Sequence, residues 1–410
     1  MTKLLKLFRA IFYTFISFFY FPKNITNTFI RKDRNILLLT PFRREPDLDK
    51  VIKELELGII FFNHDYQKKI SSIFFGNHKL NYFEYINYIK DKKIIIIYKI
   101  FLNNLVKFLK KKYNLNFVVN FAIHYKSEFL FDYAFTKQKI SFFTLHRECL
   151  YASEFIRERS YNKLKSIIKY SGTKIIVHNN IVKDIFINSG FCKKNQTTKI
   201  GPLKIDNLLK VENTNNKTVI FYIFGTGTLL PDDRNWSKVG QKGWFKLLSN
   251  TYDTILNTAE KYPNIKFIFK PKFESTEYNS YHINKVKRFD LKNIEYHTRE
   301  KNYELLKKSN LIISFGSTVI VEAAIMRKNI LIPFFDEAND INYSNFIGFE
   351  EIKKSKSACE SKEVLLKKLS LAIEGDHNFT LNEKERNKLI NDYVGDADGL
   401  NSERLKKIFS

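Results

Sequence analysis

The chain has 410 residues, of which 44% are hydrophobic and 15% aromatic. This composition excludes an intrinsically disordered protein, and the length favours two domains. The 69 lysines and arginines outnumber the 43 acidic residues and give a net charge of +26, which suits an anionic membrane surface or a phosphate-rich substrate. No motif of a nucleic-acid-binding protein is present, so we predict no nucleic-acid partner.

The three cysteines are far apart in the sequence. Cys149, Cys192 and Cys359 form no Cys-x-x-Cys pair. This spacing predicts neither a disulfide framework nor a zinc site, and we expect no bound metal. A reducing cytoplasm is the simplest compartment for such a chain.

A basic and then aromatic segment opens the chain. Lys3, Lys6 and Arg9 precede the apolar run 10–21, which is shorter than the roughly 20 residues that cross a bilayer and is followed by no cleavage site. Aromatic residues beside cations favour a helix in the plane of an anionic membrane surface. We predict that residues 1–30 bind the inner face of the cytoplasmic membrane as a peripheral segment. The alternative is a helix that packs on the protein's own core.

Buried strands alternate with helical segments through residues 31–210. The predicted strands are 35–40, 58–62, 116–122, 139–145 and 173–178. The basic, apolar segment 92–109 has a helical pattern after Tyr98. Such alternation is typical of a Rossmann-like domain with a parallel sheet.

Charged residues follow two of these strands. Arg44 and Glu45 lie in the loop after the first strand, and His146, Arg147 and Glu148 follow the fourth. Ligands of parallel α/β sheets bind outside the carboxyl ends of the strands. There His146 can act as a general base, Arg147 can hold an anion, and Glu148 can orient His146 or itself accept a proton. The alternative for each residue is an ordinary salt bridge in a loop.

A second strand and helix pattern follows a polar, Asn-rich linker at 211–217. The predicted strands are 218–224, 265–269, 293–297, 311–314 and 329–335, and the predicted helices are 245–261, 303–308, 317–327, 362–372 and 402–409. We predict a second Rossmann-like domain at 211–380, followed by a C-terminal helical tail at 381–410.

The strand, turn, helix and strand at 310–335 form the central unit of this half. Ser317 or Thr318 can cap the helix, and the free N–H groups at its start favour a phosphate. Glu322 lies about one turn further on, where a carboxylate can accept hydrogen bonds from sugar hydroxyls. Lys270 and Lys272 follow the predicted strand 265–269 and can neutralise phosphate charge. The alternative is any βαβ unit with a capped helix. The predicted donor-binding residues are Gly225, Thr226, Gly227, Lys270, Lys272, Ser314, Gly316, Ser317, Thr318 and Glu322.

Three segments carry a resemblance to a known family. Phe269–Lys272, Ser314–Glu322 and Gly395–Arg404 resemble GT-B-fold glycosyltransferases of bacterial surface polysaccharides, of the capsule or lipopolysaccharide type. Surface carbohydrate biosynthesis proteins and CDP-glycerol glycerophosphotransferases are related to these enzymes. The resemblance covers nearly the whole chain and implies two Rossmann-like domains facing across a cleft.

The resemblance also implies a function. The C-terminal domain would bind a nucleotide-activated sugar and the N-terminal domain a glycan or lipid-linked acceptor, with neither a cofactor nor a metal. Arg44, Glu45 and Arg147 are the predicted acceptor- or anion-binding residues of the N-terminal domain. Three alternatives stay open: a polyol-phosphate transferase that uses CDP-glycerol, a sugar-nucleotide epimerase on the same fold, and a non-catalytic scaffold on the membrane surface.

Overall fold

The computed structural model divides the chain into two compact units. The first unit comprises residues 1–149, 159–204 and 400–410, and the second comprises 150–158 and 205–399. The described residues are 25–31, 34–39, 47–76, 86, 93–123, 125–210, 217–227, 229–230, 243–271, 283–284, 286–287, 289–298 and 300–410, with 25–29 described for the backbone alone.

The first unit contains a seven-stranded sheet with the order β1-β3-β2-β4-β5-β6-β7. Its strands are β1 (Ile25–Phe29), β2 (Asn35–Leu39), β3 (Gly58–Phe62), β4 (Leu115–Asn120), β5 (Ser141–Leu145), β6 (Lys174–Val177) and β7 (Thr197–Lys199). β1 pairs with β3 in the antiparallel sense, and the other neighbours are parallel. All five residues of β2 are buried, as expected for an interior strand of a parallel sheet.

Helices connect these strands. They are α1 (Leu48–Glu54), α2 (His64–Phe75), α3 (Ile94–Tyr113), α4 (Phe131–Lys137), α5 (Glu154–Ser166), α6 (Asn180–Asn188) and α7 (Lys204–Leu208), with 3-10 turns at Lys126–Glu128 and Lys194–Gln196. α5 crosses from the second unit into the first at Arg159, and α7 crosses from the first into the second after Lys204. No helix in the described part of the chain is both long enough and apolar enough to span a bilayer.

The second unit contains a six-stranded, wholly parallel sheet with the order β10-β9-β8-β11-β12-β13. Its strands are β8 (Thr218–Tyr222), β9 (Lys266–Lys270), β10 (Ile294–Tyr296), β11 (Leu311–Ile313), β12 (Asn329–Pro333) and β13 (Ala358–Cys359). Its helices are α8 (Phe245–Lys261), α9 (Asn302–Lys308), α10 (Thr318–Ile325), α11 (Lys362–Glu374) and α12 (Glu383–Tyr393), with 3-10 turns at Asp336–Asn339, Ile341–Phe346 and Glu350–Ile352. This strand order is that of a Rossmann domain. The predicted fold class, α/β with two Rossmann-like domains, is confirmed.

The C-terminal region differs from the predicted helical tail at 381–410. α12 belongs to the second unit, where the Nε atom of Arg386 donates to the Ala324 carbonyl at 2.9 Å, close to the end of α10. The last helix, α13 (Asn401–Phe409), belongs to the first unit. There the Phe409 ring contacts the rings of Phe117 and Phe143, with centroids 4.7 and 5.2 Å apart. The two helices therefore complete two different cores, because each buries an apolar face within a different unit.

The predicted N-terminal and linker segments fall partly outside the described residues. Residues 1–24 and 211–216 are among those not described. Within the predicted membrane segment 1–30, the residues Ile25–Phe29 form β1 and pair with β3. These five residues are thus part of a sheet and not of a membrane-surface helix, since their backbone groups are hydrogen-bonded to a neighbouring strand.

Candidate functional site

The candidate site lies at the topological switch point of the second sheet. The strand order reverses between β8 and β11, which leaves the loops after these two strands on opposite sides of a crevice. Gly225–Gly227 lie in the loop after β8, and Ser314–Ser317 connect β11 to α10. Both predicted donor loops therefore occupy the place where parallel α/β sheets bind ligands.

Lys270, Tyr222 and Ser314 lie in one row across three neighbouring strands. Tyr222 pairs directly with Lys270, and the Ser314 hydroxyl donates to the Tyr222 carbonyl at 3.3 Å. Strands are about 4.8 Å apart, so the Cα atoms of Lys270 and Ser314 are separated by about 10 Å. The sheet thus fixes the spacing between the predicted cation and the predicted phosphate loop.

Lys270 is a buried cation at the end of β9. The residue is only 8% exposed, and its Nζ atom donates to the carbonyls of Pro271 and Thr298 at 3.3 and 3.0 Å. These two carbonyl oxygens orient the ammonium group at the end of the strand. A charge in such surroundings interacts more strongly with a ligand than it would in bulk water.

The turn before α10 is built around Gly316 and Ser317. Gly316 has φ of +59°, in the left-handed region where a side chain is unfavourable. Ser317 is extended, with φ −123° and ψ 146°, and its hydroxyl accepts the Val319 N–H at 3.4 Å. The predicted N-cap is therefore Ser317, and the helix starts at Thr318. The start of α10 carries the partial positive charge of a helix N-terminus.

Glu322 is buried together with the rest of α10. It is 4% exposed, and every residue from Val319 to Ile325 is buried. The pKa of Tyr222 is raised well above its ordinary value, mainly by burial and to a smaller extent by the nearby Glu322 charge. The phenol therefore stays a neutral hydrogen-bond donor. Its hydroxyl donates to the Asn302 carbonyl at 3.5 Å.

An aromatic contact that the sequence analysis did not predict holds the two donor loops. The backbone N–H of Trp244 donates to the Thr226 carbonyl at 2.9 Å, and the Trp244 ring lies 5.0 Å from the rings of both Phe315 and Tyr343. The preceding Gly243 N–H donates to the Tyr343 hydroxyl at 3.2 Å. A Cβ atom on Gly243 would lie 3.0 Å from the Thr226 carbonyl oxygen. Trp244 thus links the loop after β8 to the loop after β11.

A carboxylate of the same chain binds the N-terminus of α8, the helix that follows the first donor loop. The Lys246 and Leu247 N–H groups donate to the two carboxylate oxygens of Glu337, both at 2.8 Å. A carboxylate at a helix start satisfies the same donors that a phosphate would. The start of α8 is therefore already satisfied by a carboxylate of this chain.

The predicted acid–base residues of the first unit follow β5 directly. His146 is 1% exposed, its backbone N–H donates to the Ile176 carbonyl at 2.8 Å, and its ring lies 5.2 Å from the Phe186 ring. Arg147 and Glu148 are exposed. All three residues lie at the predicted strand end. The His146 imidazole is buried, whereas Glu148 is exposed to solvent.

Hydrogen bonds fix the loop that holds these residues. The Cys149 thiol donates to the His146 carbonyl at 2.9 Å, and the Asn179 amide donates to the Cys149 carbonyl at 3.0 Å. The Asn179 side chain also accepts the Val182 N–H at 3.0 Å and so caps α6. These hydrogen bonds connect the loop after β5 to the loop after β6. They hold the backbone around Glu148 in a fixed position at the carboxyl edge of the sheet.

Comparisons with known proteins give similar solved structures at low sequence identity. No family model matches the sequence, and no curated protein matches it. A glycosyltransferase from Rickettsia africae is 13% identical, with 92% of this chain and 99% of that chain covered and a TM-score of 0.49. The UDP-GlcNAc 2-epimerase of Neisseria meningitidis, bound to UDP-GlcNAc, is 14% identical over 91% and 99% of the two chains, with a TM-score of 0.46. The corresponding epimerase of Methanocaldococcus jannaschii is 15% identical over 92% and 99%, with a TM-score of 0.48.

The structure brings together some of the predicted residues within each unit. At the carboxyl edge of the second sheet are the main-chain loop Gly225–Gly227, Lys270 and the turn Ser314–Thr318, with Glu322 buried behind the turn. The predicted residues Arg44, Glu45 and Lys272 lie outside the described residues. Among the described residues, no group of three His, Cys, Asp or Glu side chains is arranged to hold a metal ion.

Proposed function

We propose that this protein is a glycosyltransferase that uses a nucleotide-activated sugar bound at the switch point of the second unit. The observation that carries the proposal is the position of Lys270. Its buried ammonium lies at the sheet edge where α10 begins, about two strand spacings from Ser314. A cation and a helix N-terminus at one edge both favour an anion such as a diphosphate.

The chemistry we propose is electrostatic. When the sugar leaves its nucleotide, negative charge develops on the phosphate oxygen. Lys270, the hydroxyl of Ser317 and the partial positive charge at the start of α10 would stabilise that charge, and Gly316 would let the backbone approach the phosphate. Glu322 would accept hydrogen bonds from hydroxyls of the ribose or the sugar. Preorganised donors of this kind act without reorganising during the reaction.

The acceptor side of the proposal belongs to the first unit. Glu148 is exposed, so it can reach the hydroxyl of an acceptor and take its proton, and the neighbouring Arg147 can bind an anionic group of that acceptor. His146 would orient this loop, or act as the base itself if the loop opens, because its ring is enclosed beside Phe186. The acceptor we propose is a glycan or lipid-linked glycan of a cell-surface polysaccharide, at the inner face of the cytoplasmic membrane.

A binding screen tests the donor site directly. Isothermal calorimetry of the full chain with UDP-, GDP-, CMP- and CDP-linked donors should find one nucleotide that binds, and Lys270→Ala should weaken it. Lys266→Ala is the matched control, because Lys266 is the exposed lysine at the opposite end of the same strand and pairs with Glu295 at 2.6 Å. Binding of no nucleotide, or equal binding by both variants, contradicts the proposed site.

Product analysis then separates transfer from its alternatives. A transferase consumes the nucleotide sugar only when a glycan or lipid-linked acceptor is present. Interconversion of the free nucleotide sugar without an acceptor would show an epimerase, and transfer from CDP-glycerol alone would show a polyol-phosphate transferase. Binding to vesicles without any nucleotide binding would leave only a scaffold.

A further inference from the structure

The outer face of α3 combines exposed isoleucines with lysines. Ile96 and Ile100 are 64% and 57% exposed and lie one turn apart on the same side of the helix. The opposite side is packed, since Tyr98 and Phe101 lie 4.9 and 5.2 Å from the Phe74 ring of α2. α3 is therefore anchored by its aromatic face and presents branched apolar side chains to solvent.

Positive charge accompanies this apolar pair. The exposed lysines of α3 and of the residue before it are Lys93, Lys107, Lys110, Lys111 and Lys112, and the helix contains no acidic residue. On the adjoining helix α2, Ile73 is 40% exposed and Lys69 is exposed. The face thus continues from apolar residues near its N-terminal end to cations near its C-terminal end.

The helix α11 of the second unit also exposes an apolar residue, but its charges differ from those of α3. Leu366 on α11 is 43% exposed, but α11 also carries Glu363 and Glu374, so its charges are mixed. Single exposed apolar residues are common on soluble proteins. A pair of exposed isoleucines on a helix with lysines and without acids is a different pattern, and it has the composition of an interfacial helix.

We propose that the outer face of α3 docks on an anionic lipid surface. Ile96 and Ile100 would enter the boundary between headgroups and acyl chains, and Lys107 and Lys111 would lie among the anionic headgroups. The isoleucines favour lipid over nucleic acid, whose backbone offers them no apolar partner. The inference stands on the first unit alone and does not depend on the donor site or on residues 1–30.

A fluorescent label at the centre of the face tests this docking. The three native cysteines are buried, so Ile100→Cys provides one accessible thiol for an environment-sensitive dye on the full chain. With vesicles of phosphatidylcholine and phosphatidylglycerol, its emission should shift to the blue and be quenched by nitroxide lipids in the bilayer. The matched control is Leu366→Cys on α11, whose emission should not change.

Charge substitutions provide the second readout. Lys107→Gln with Lys111→Gln should weaken binding to the anionic vesicles about 30-fold, as expected for two lysines near such a surface. The control pair is Lys362→Gln with Lys367→Gln on α11, which should bind as the wild type does. Vesicle binding without a response at position 100 would assign binding to another segment and overturn the proposal. Absence of vesicle binding, or preferential binding of an RNA oligonucleotide at that label, would overturn it as well.

Discussion

Two buried lysines occupy opposite edges of the second sheet. Lys270 ends β9 at the carboxyl edge, and Lys328 precedes β12 at the amino edge. They are 8% and 5% exposed. Each ammonium donates to two backbone carbonyls, those of Pro271 and Thr298 for Lys270 and those of Lys307 and Ser309 for Lys328. By burial and by these carbonyl contacts the two side chains are similar.

The helix ends beside them are not equivalent. Lys328 bonds to the last carbonyls of α9, where the helix carries partial negative charge and a cation is favourable. Lys270 lies at the edge where α10 starts, so the nearby helix end is positive. Lys328 therefore stabilises a helix C-terminus of the protein itself, whereas Lys270 lies at the edge that carries the N-terminus of α10. This difference is the physical basis for placing an anionic substrate beside Lys270.

The largest effect should come from Lys270→Ala. Removing a preorganised group that stabilises developing charge typically lowers turnover by 10²–10³-fold, and we expect a loss of about 10³-fold in kcat. The measurement is turnover of the nucleotide sugar found by the binding screen. Circular dichroism should show an intact fold, because the substitution lies at a strand end.

Lys266→Ala separates this effect from a general loss of charge. The two variants remove one lysine each from the same strand, but Lys266 lies at the opposite edge beside Glu295. Turnover of Lys266→Ala should stay within about two-fold of the wild type, as for an exposed ion pair. Equal losses in both variants would remove the distinction between the two edges of the sheet.

Glu148→Gln should lower kcat by about 10²-fold with little change in donor affinity, because a general base contributes about that factor or more. The carboxylate is exposed, and the amide keeps its shape but cannot take a proton. The comparison variant is His146→Gln, which changes the enclosed neighbour. If His146→Gln abolishes turnover while Glu148→Gln is fully active, the imidazole is the base and the loop after β5 has to open.

Glu322→Gln should weaken donor binding by about 10- to 100-fold, the range expected for one hydrogen bond to a charged group. The substitution keeps the volume of a side chain that is 4% exposed and removes its charge. Calorimetry should show the loss for the nucleotide sugar, while thermal unfolding stays close to that of the wild type. Unchanged affinity for the donor would exclude Glu322 from the ligand contacts.

Much of the fold can be predicted from local sequence patterns. The strand Gly58–Phe62 and the helix Phe245–Lys261 have the predicted bounds, because a short apolar run and an amphipathic period identify them. α3 starts at Ile94, five residues before its predicted helical pattern, since packing of Tyr98 overrides the β-branched run that precedes it. The helix α5 was missed because only Leu164 is buried on it, which leaves no clear period.

Some missed features had local indications, and others had none. α2 is bounded by Asn63, whose side chain accepts from two N–H groups at its start, and by Gly76 at its end. These capping residues are recognisable in a sequence. By contrast, the contact between Trp244 and Tyr343 joins residues that are distant in the chain, and Glu337 reaches the start of α8 in the same way. Such contacts depend on the folded sheet, so no local pattern predicts them.

The smallest effect, and the one on stability instead of turnover, should come from Lys328→Met. The substitution leaves the carbonyls of Lys307 and Ser309 without their donor, which typically costs about 1–3 kcal/mol of the free energy of unfolding. Turnover per folded molecule should not change, because Lys328 lies at the edge away from the proposed site. Urea unfolding at neutral pH measures the first quantity, and initial rates measure the second.

The pH dependence of the free energy of unfolding tests whether burial changes the pKa of Lys328. Burial lowers the pKa of Lys328 from 10.5 to about 8. Between these values the unfolded chain binds more protons than the folded chain, so the contribution of Lys328 to the free energy of unfolding rises with pH across this window and is constant below it. The difference between wild type and Lys328→Met should therefore grow from pH 8 towards pH 10, by at most about 1.4 kcal/mol per pH unit. A difference that is flat or shrinks over this range would mean that the ammonium keeps its ordinary pKa, and that burial at the amino edge does not set its charge.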